Sequence, residues 1–328
     1  MKLSEDILLK MYKDIVLVRR VEETCEKLLL RGEKLIGTFH LGLGEEAIAV
    51  GTCFNLRKDD YVLPYLRGRG VFLMKGVSLR SLAAGWYGKT TGKGRGRYHH
   101  HHVGDKKVGV LAGSGIVGAD ISIATGVALA LKLKKSDQVI LNFFGDGASN
   151  TGNFHEALNF AGAFQLPVVY ICENNQYAVS MPISKASRIK NIAVRSKGYG
   201  FPGVVVDGND VISVYKATQE AIKRARMGKG PTLIECKTYR WRGHNPKDPD
   251  LFRPPEEIEE WKKKCPVKRF KGKLIRAGVL TEKLCQRIEK EIDAEINNAI
   301  ELAVAAPFPK KEEIIEDFDF VYKKGGEE

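Results

Sequence analysis

The sequence has no apolar run of the ~18–20 residues that a membrane-crossing helix needs, so no membrane role is expected. It opens on Met1-Lys2-Leu3-Ser4-Glu5-Asp6, with acids where a signal peptide would carry its short apolar region, so neither secretion nor import is expected. Its six cysteines, at 25, 53, 172, 236, 265 and 285, never form a C-x-x-C pair, which leaves no zinc-knuckle or dithiol redox signature. Scattered thiols fit a reducing cytoplasm, the expected location. A P-loop is missing too, since Gly88-Lys89-Thr90 would need a glycine at 83, where Ala83 stands. No reading helix, RNA-binding sheet or zinc-finger signature accompanies the net charge of +13. That charge is spread in short runs (132–135, 262–264, 310–311) largely interleaved with acids, which describes a solvated lysine-rich surface and not a nucleic-acid partner. What remains is 328 residues at 43% hydrophobic and 28% charged, ample for a buried core.

The periodicity predicts a helix over 4–31, with Ile7, Leu8, Met11, Ile15, Val18 and Val21 on one face. Between Leu66 and Gly118 the chain is Gly-rich and irregular. Residues 121–134 and 153–164 read as helices. Short apolar runs at 138–144 (QVILNFF), 167–172 (PVVYIC), 203–206 and 231–237 read as strands, with a further helix over 210–227. Strands alternating with helices of these lengths predict an α/β fold, a parallel sheet with helices on both faces. A Pro-, Asp- and Arg-rich loop, long for a compact domain, follows Tyr239 to about Pro255. The whole chain, 1–328, is expected to be one domain, with a helical extension over about 1–35 and a helical tail over about 256–328. The tail carries Leu284, Ile288, Ile292, Ile296 and Ile300 four apart, a stripe for core or subunit packing.

Gly145-Asp146-Gly147 directly follows one predicted strand, and Asn174-Asn175 directly follows the next. Asp146 and Asn175 are 29 positions apart, the length of a strand–helix–strand crossover. A right-handed crossover brings both strand ends to one edge of the sheet, where open parallel sheets bind ligands. Magnesium takes about six hard oxygens and often draws several from phosphates and water. One Asp, one Asn and a nearby backbone carbonyl would leave positions for a diphosphate. A rival pattern, Gly113-Ser114-Gly115-Ile116-Val117-Gly118, satisfies G-x-G-x-x-G after a strand-like VGVLA. A dinucleotide site would want an acid about 20 residues on, whereas Asp146 comes 28 after Gly118 and is locked in the G-D-G turn.

G-D-G, 26 residues, then N-N resembles the thiamine diphosphate-binding motif. With it, nearly the whole chain resembles the alpha subunits of thiamine-dependent 2-oxo acid dehydrogenases, the group of pyruvate, branched-chain and acetoin dehydrogenases. The resemblance implies a thiamine diphosphate-binding fold with magnesium held by Asp146, Asn175 and the Tyr177 carbonyl. It implies backbone contacts from Gly115 and Val117 to the cofactor's aminopyrimidine ring, with Gly147 and Ala148 against the diphosphate. Arg67, in PYLRGRG, matches a diphosphate-binding arginine, and a guanidinium fork suits phosphate oxygens. His40, in GTFHLGLGEE, matches an active-site histidine. TYRWRGHNPKDP (238–249) matches a flexible active-site loop, in which His244 would lie over the cofactor and Arg240 would anchor the loop as a lid.

By the same resemblance the cofactor supplies an acidic thiazolium carbon and an electron sink, and the glutamate that activates it belongs to a beta subunit. The expected assembly is an alpha2–beta2 heterotetramer that decarboxylates a 2-oxo acid and passes the acyl group to a lipoyl-bearing acyltransferase. Pyruvate is the first substrate reading, with acetoin or branched-chain 2-oxo acids as alternatives. Glu173 before the asparagines disfavours the mammalian branched-chain pattern, which carries arginine there. Departures crowd the expected substrate channel: Leu66, after Tyr65, stands where an aromatic or histidine is usual, and Arg69 where a histidine is usual. G-S-M-H becomes Gly96-Arg97-Tyr98-His99, followed by His100, His101 and His102. Four consecutive histidines are a composition that binds soft metals, although one site histidine among incidental ones is the expected reading. Asn245 replaces the regulatory phosphoserine of the animal enzymes.

Overall fold

A computed structural model describes residues 3–313. Its helices are α1 (Glu5–Leu30), α2 (Glu46–Cys53), α3 (Arg69–Met74), α4 (Leu79–Trp86), α5 (Ala119–Leu133), α6 (Gly152–Ala163), α7 (Ile183–Ala186), α8 (Val211–Arg226), α9 (Pro255–Lys262), α10 (Pro266–Arg276) and α11 (Glu282–Ala305). The strands are β1 (Tyr61–Leu63), β2 (Ile140–Gly145), β3 (Val168–Asn174), β4 (Tyr177–Ala178), β5 (Met181–Pro182), β6 (Gly203–Asp207) and β7 (Thr232–Lys237). Five of them form a wholly parallel sheet in the order β1-β2-β3-β7-β6, and β4 and β5 make a small antiparallel hairpin.

The central strands are apolar throughout because both faces are covered. Successive residues point to opposite sides. Leu141, Phe143, Val169, Ile171 and Ile234 join a core with α1, α2, α8 and α11. Ile140, Phe144, Val168, Tyr170 and Leu233 join a second core with α5 and α6. The fold is therefore α/β with helices on both faces. Helix starts are marked by side-chain caps: Thr151 accepts from the Phe154 amide, Asp210 from Ile212, and Thr281 from Leu284.

Several expectations are corrected. The sheet has a strand at its β1 edge that the pattern did not signal, because Tyr61–Leu63 is only three residues long and ends at Pro64. The irregular stretch after Leu66 contains α3 and α4, helices too short to show a full apolar stripe. VGVLA is not a strand of the sheet: only Val110 bridges, to Val62 on the outer side of β1. β3 runs two residues further than expected, so Asn174 is its last residue and Asn175 the first beyond it. The helix expected over 4–31 is α1, and it packs into the core with Met11, Tyr12 and Ile15 completely buried. The α11 stripe faces inward, with Ile288, Ile292 and Ile296 in the larger core. The expected tail forms α9, α10 and α11, and its part beyond 313 lies outside the described residues. All six cysteines are free and buried. No helix among the described residues is long and apolar enough to cross a membrane.

Candidate functional site

Strand register decides where the chemistry gathers. Gly145 pairs with Glu173 across β2 and β3, so Asp146 and Asn175 leave neighbouring strands side by side. They open into a pocket walled by His40, Arg67, His101, the 114–118 loop, Gly147, Ala148, Tyr177 and His244. Gly115 and Val117 are in that loop. Every site residue expected from the sequence lines the pocket except Arg240, which lies buried behind it.

Asp146 is 2% exposed, and its Oδ2 has no hydrogen-bond partner. Burial pushes its carboxyl up to about 7, with the Glu45 charge adding and the Arg240 and Arg67 guanidiniums opposing. An orphaned buried carboxylate oxygen is costly unless something meets it. Beside it, the Asn175 amide nitrogen donates to both Glu45 carboxylate oxygens, at 3.2 and 3.4 Å. This fixes which way the amide points and leaves Oδ1 with only a long contact from the Tyr177 N–H at 3.5 Å. The Tyr177 carbonyl takes a 3.4 Å contact from Arg240 Nη1 and keeps a second lone pair. Two unspent hard oxygens and a carbonyl suit magnesium and not a soft metal. Gly147 is required by proximity, since a Cβ there would lie 2.7 Å from the Ala178 Cβ.

Glu45 is the residue that sequence reasoning missed. It lies in Gly44-Glu45-Glu46-Ala47 at the start of α2, where two acids in a row look like a solvated helix start. Instead Glu46 is buried against Arg19, whose Nε donates at 2.7 Å, and Glu45 is buried against Glu173. The Tyr65 hydroxyl donates to Glu173 at 3.2 Å and lies 3.5 Å from Glu45. Burial raises the pKa of both acids, and the neighbouring Glu45 carboxylate pushes Glu173 up further, which favours a proton on the pair. No sequence pattern marks such a pair, because its partners come from three separate segments.

Arg67 donates to the Leu41 carbonyl at 2.7 Å and to the His244 carbonyl at 3.0 Å. A guanidinium only donates, so its 3.4 Å contact to His244 Nδ1 leaves the His244 proton on Nε2. His101 Nε2 faces the Thr38 carbonyl at 3.0 Å, so it carries a proton, and the same atom is 3.2 Å from His40 Nδ1. His40 therefore accepts at Nδ1 and carries its proton on Nε2. Burial first, then Arg67, holds His40 down to about 3 and His244 down to about 4. Both rings are neutral at physiological pH and present an N–H.

The loop after β7 is tied from beneath. Arg240 donates to the Val179 carbonyl at 2.8 Å and to the Arg242 carbonyl at 3.0 Å. Arg253, 4% exposed, donates to the Arg242 carbonyl at 2.8 Å and pairs with Asp250. Asp248 caps the turn by accepting from the His244 amide at 2.6 Å. Two buried arginines thus bond the backbone of the segment expected to act as a lid, Arg240 among them as its expected anchor.

Comparison with known proteins agrees with this arrangement. The model of the dehydrogenase E1 component family matches residues 13–312. The alpha subunit of acetoin:2,6-dichlorophenolindophenol oxidoreductase from Bacillus subtilis is 39% identical, over 99% of this chain and 97% of its own. The 2-oxoisovalerate dehydrogenase alpha subunit of the same organism is 40% identical, over 98% and 97%. The pyruvate dehydrogenase E1 alpha subunit of Rhizobium meliloti is 37% identical, over 94% and 89%. The dinucleotide reading of Gly113–Gly118 falls with these matches and with the missing strand before it. The chain belongs to the dehydrogenase E1 component family, among the alpha subunits of its thiamine-dependent oxidoreductases.

Proposed function

We propose that this chain is the alpha subunit of a pyruvate dehydrogenase, and that its pocket holds thiamine diphosphate through magnesium. The observation that carries the reading is the unpartnered Asp146 Oδ2 beside an Asn175 whose amide is already oriented. Asp146, Asn175 and the Tyr177 carbonyl would hold the metal. Arg67 and His244 would meet the diphosphate, with Gly147 and Ala148 giving it close approach, and Gly115 and Val117 would offer backbone groups to the pyrimidine. Bound there, the cofactor supplies a carbon nucleophile and an electron sink. His40 and His244 each present an Nε2–H that can hydrogen-bond a developing negative charge, and as neutral rings they bring no charge of their own. Arg240 keeps His244 in place through the loop. The whole chain acts as one cofactor-binding domain in this reading.

The acids among the pocket-lining residues are Asp146 and Asp120. Asp120 is committed to the Ser114 amide at 2.6 Å, so an activating carboxylate would come from a beta subunit in an alpha2–beta2 assembly. Ile116 and Val117, 70% and 60% exposed beside the pocket, supply apolar surface for such a partner. The product acyl group would pass to a lipoyl-bearing acyltransferase. His40 lies between His101 and His244, with ring centroids 5.2 and 4.7 Å away. That crowding favours a short 2-oxo acid over a branched one. Acetoin is the second reading, supported by the relative of that name that matches 99% of this chain.

The test is dye reduction by this chain assembled with its beta-type partner, with magnesium and thiamine diphosphate, on pyruvate, 2-oxoisovalerate and acetoin separately. Cofactor-dependent reduction with pyruvate is expected. Reduction with acetoin alone would replace the substrate, and silence with all three in an assembled complex would overturn the dehydrogenase reading.

A further inference from the structure

The proposed chemistry uses at most His101 from the run of four histidines. One ring nitrogen from each of His99, His100 and His101 lies within 4.8 Å of the others. Their ring centroids are 4.2–4.3 Å apart in every pairing. His100 is the unusual member. It is 4% exposed and stacked on Phe39 at 3.8 Å between centroids, and neither ring nitrogen has a hydrogen-bond partner. A buried imidazole with both nitrogens unmet is costly as packing alone and calls for a ligand. His99 is held by backbone N–H groups on both sides, with the Thr38 amide donating to Nε2 at 2.8 Å and the His101 amide 3.4 Å from Nδ1. An ion bound through His99 would therefore replace the Thr38 hydrogen bond. Gly37 leaves the ring room that a Cβ would take. His101 Nε2 is spent on Thr38 and His40, which leaves Nδ1 as its lone-pair nitrogen.

We propose that His99, His100 and His101 form a three-imidazole site for a late first-row divalent cation, with Zn2+ as the representative ion. Imidazole suits Zn, Cu and Ni, and three protein nitrogens leave a fourth position open to water. Zn–N bonds of about 2.0–2.1 Å in a tetrahedron put nitrogens roughly 3.3 Å apart, so the rings need to close by about an ångström or more, within reach of side-chain rotation. Burial keeps all three rings neutral, aided by Arg69 and by one another. The same Arg69 field opposes a bound cation, and it is tempered because Arg69 Nε and Nη2 are paired with buried Glu22 at 2.9 and 2.7 Å. The site differs from the Asp146 pocket in donor type and hence in metal. Drawing His101 toward the ion would break its contact with His40, so occupancy would act on the pocket through that pair.

The test is metal titration of the full chain, made without a polyhistidine tag, with excess magnesium and thiamine diphosphate present. Zn2+ binding is read by equilibrium dialysis and Co2+ binding by its ligand-field absorption. One equivalent is expected, with nitrogen-type tetrahedral bands and no thiolate charge-transfer band. His99→Ala and His101→Ala are expected to weaken it roughly tenfold or more. His102→Ala, whose ring Nδ1 bonds the Gly113 carbonyl, is expected to bind as the parent does. Should either alanine variant lose the parent's circular dichroism, His99→Gln and His101→Gln replace them. Sub-stoichiometric binding, a thiolate band, or equal affinity in the folded His99 and His101 variants would overturn the proposal.

Discussion

Asp146 sits where burial works against its charge, and that gives it a pH signature. Its carboxyl rises from 3.8 to about 7 on folding. Between those values the folded chain keeps a proton that the unfolded chain has lost. Its contribution to stability is full below the unfolded value and is lost as pH rises through about 7. Asp146→Asn cannot suffer that loss. The melting temperature of the variant minus that of the parent should therefore grow as pH is raised across that window, in thermal unfolding of the metal-free chain. Magnesium with thiamine diphosphate should restore the parent and leave the variant unmoved; a gap constant with pH would contradict this. Glu45 is testable against the same residue. Glu45→Ala removes the acceptor that orients Asn175, and magnesium affinity by calorimetry should fall roughly tenfold, about the worth of one hydrogen bond to a charged group. Glu45→Gln keeps an acceptor and removes the charge that raises Asp146. Its affinity should stay near that of the parent, while the pH midpoint of magnesium binding shifts down. Asp146 and Asn175 were legible because their spacing is a covalent property of the chain. Glu45 was not, because its partners Asn175, Glu173 and Tyr65 are brought to it only by folding.

At the scale of elements, the central strands and long helices follow from apolar periodicity, and β2, β3, α5 and α8 fall within two or three residues of expectation. The short elements α2, α3, α4 and β1 escape it, since helices of six to eight residues and a three-residue strand are too short to establish a period. The loop after β7 is the informative case. Its proline and charge content reads as mobility, yet Arg253 and Arg240 place buried guanidiniums on backbone carbonyls. Arg253→Ala should release the segment at a cost of roughly 2–4 kcal/mol of local anchoring. Limited proteolysis should then cut within 242–252 much faster while the global melting temperature changes little. If the cutting rate stays that of the parent, the arginine is not what holds the loop.

At the scale of the molecule, one group of exposed apolar residues lies beside the pocket. Ile116 and Val117 flank the pocket, and Ile123 and Leu133 continue along the outer face of α5. A face of that kind fits the proposed assembly, in which a beta-type subunit covers the pocket mouth. Hydrogen exchange across 115–133 should slow on adding that subunit, and a separate, partner-distant helix such as α10 should exchange as before. Unchanged exchange at 115–133 in an assembled complex would place the interface elsewhere.

The sequence by itself determined the α/β layering and the candidate pair Asp146 and Asn175, because strand length, apolar period and motif spacing are local properties of a chain. The tertiary structure decided what those residues face. It set Gly145 beside Glu173 in register, turned the Asn175 amide with Glu45, placed protons on His40 and His244 through Arg67 and His101, and gathered three histidines against Phe39 and Thr38. Each depends on contacts between segments dozens of residues apart, and burial then sets the charge state that local sequence cannot fix.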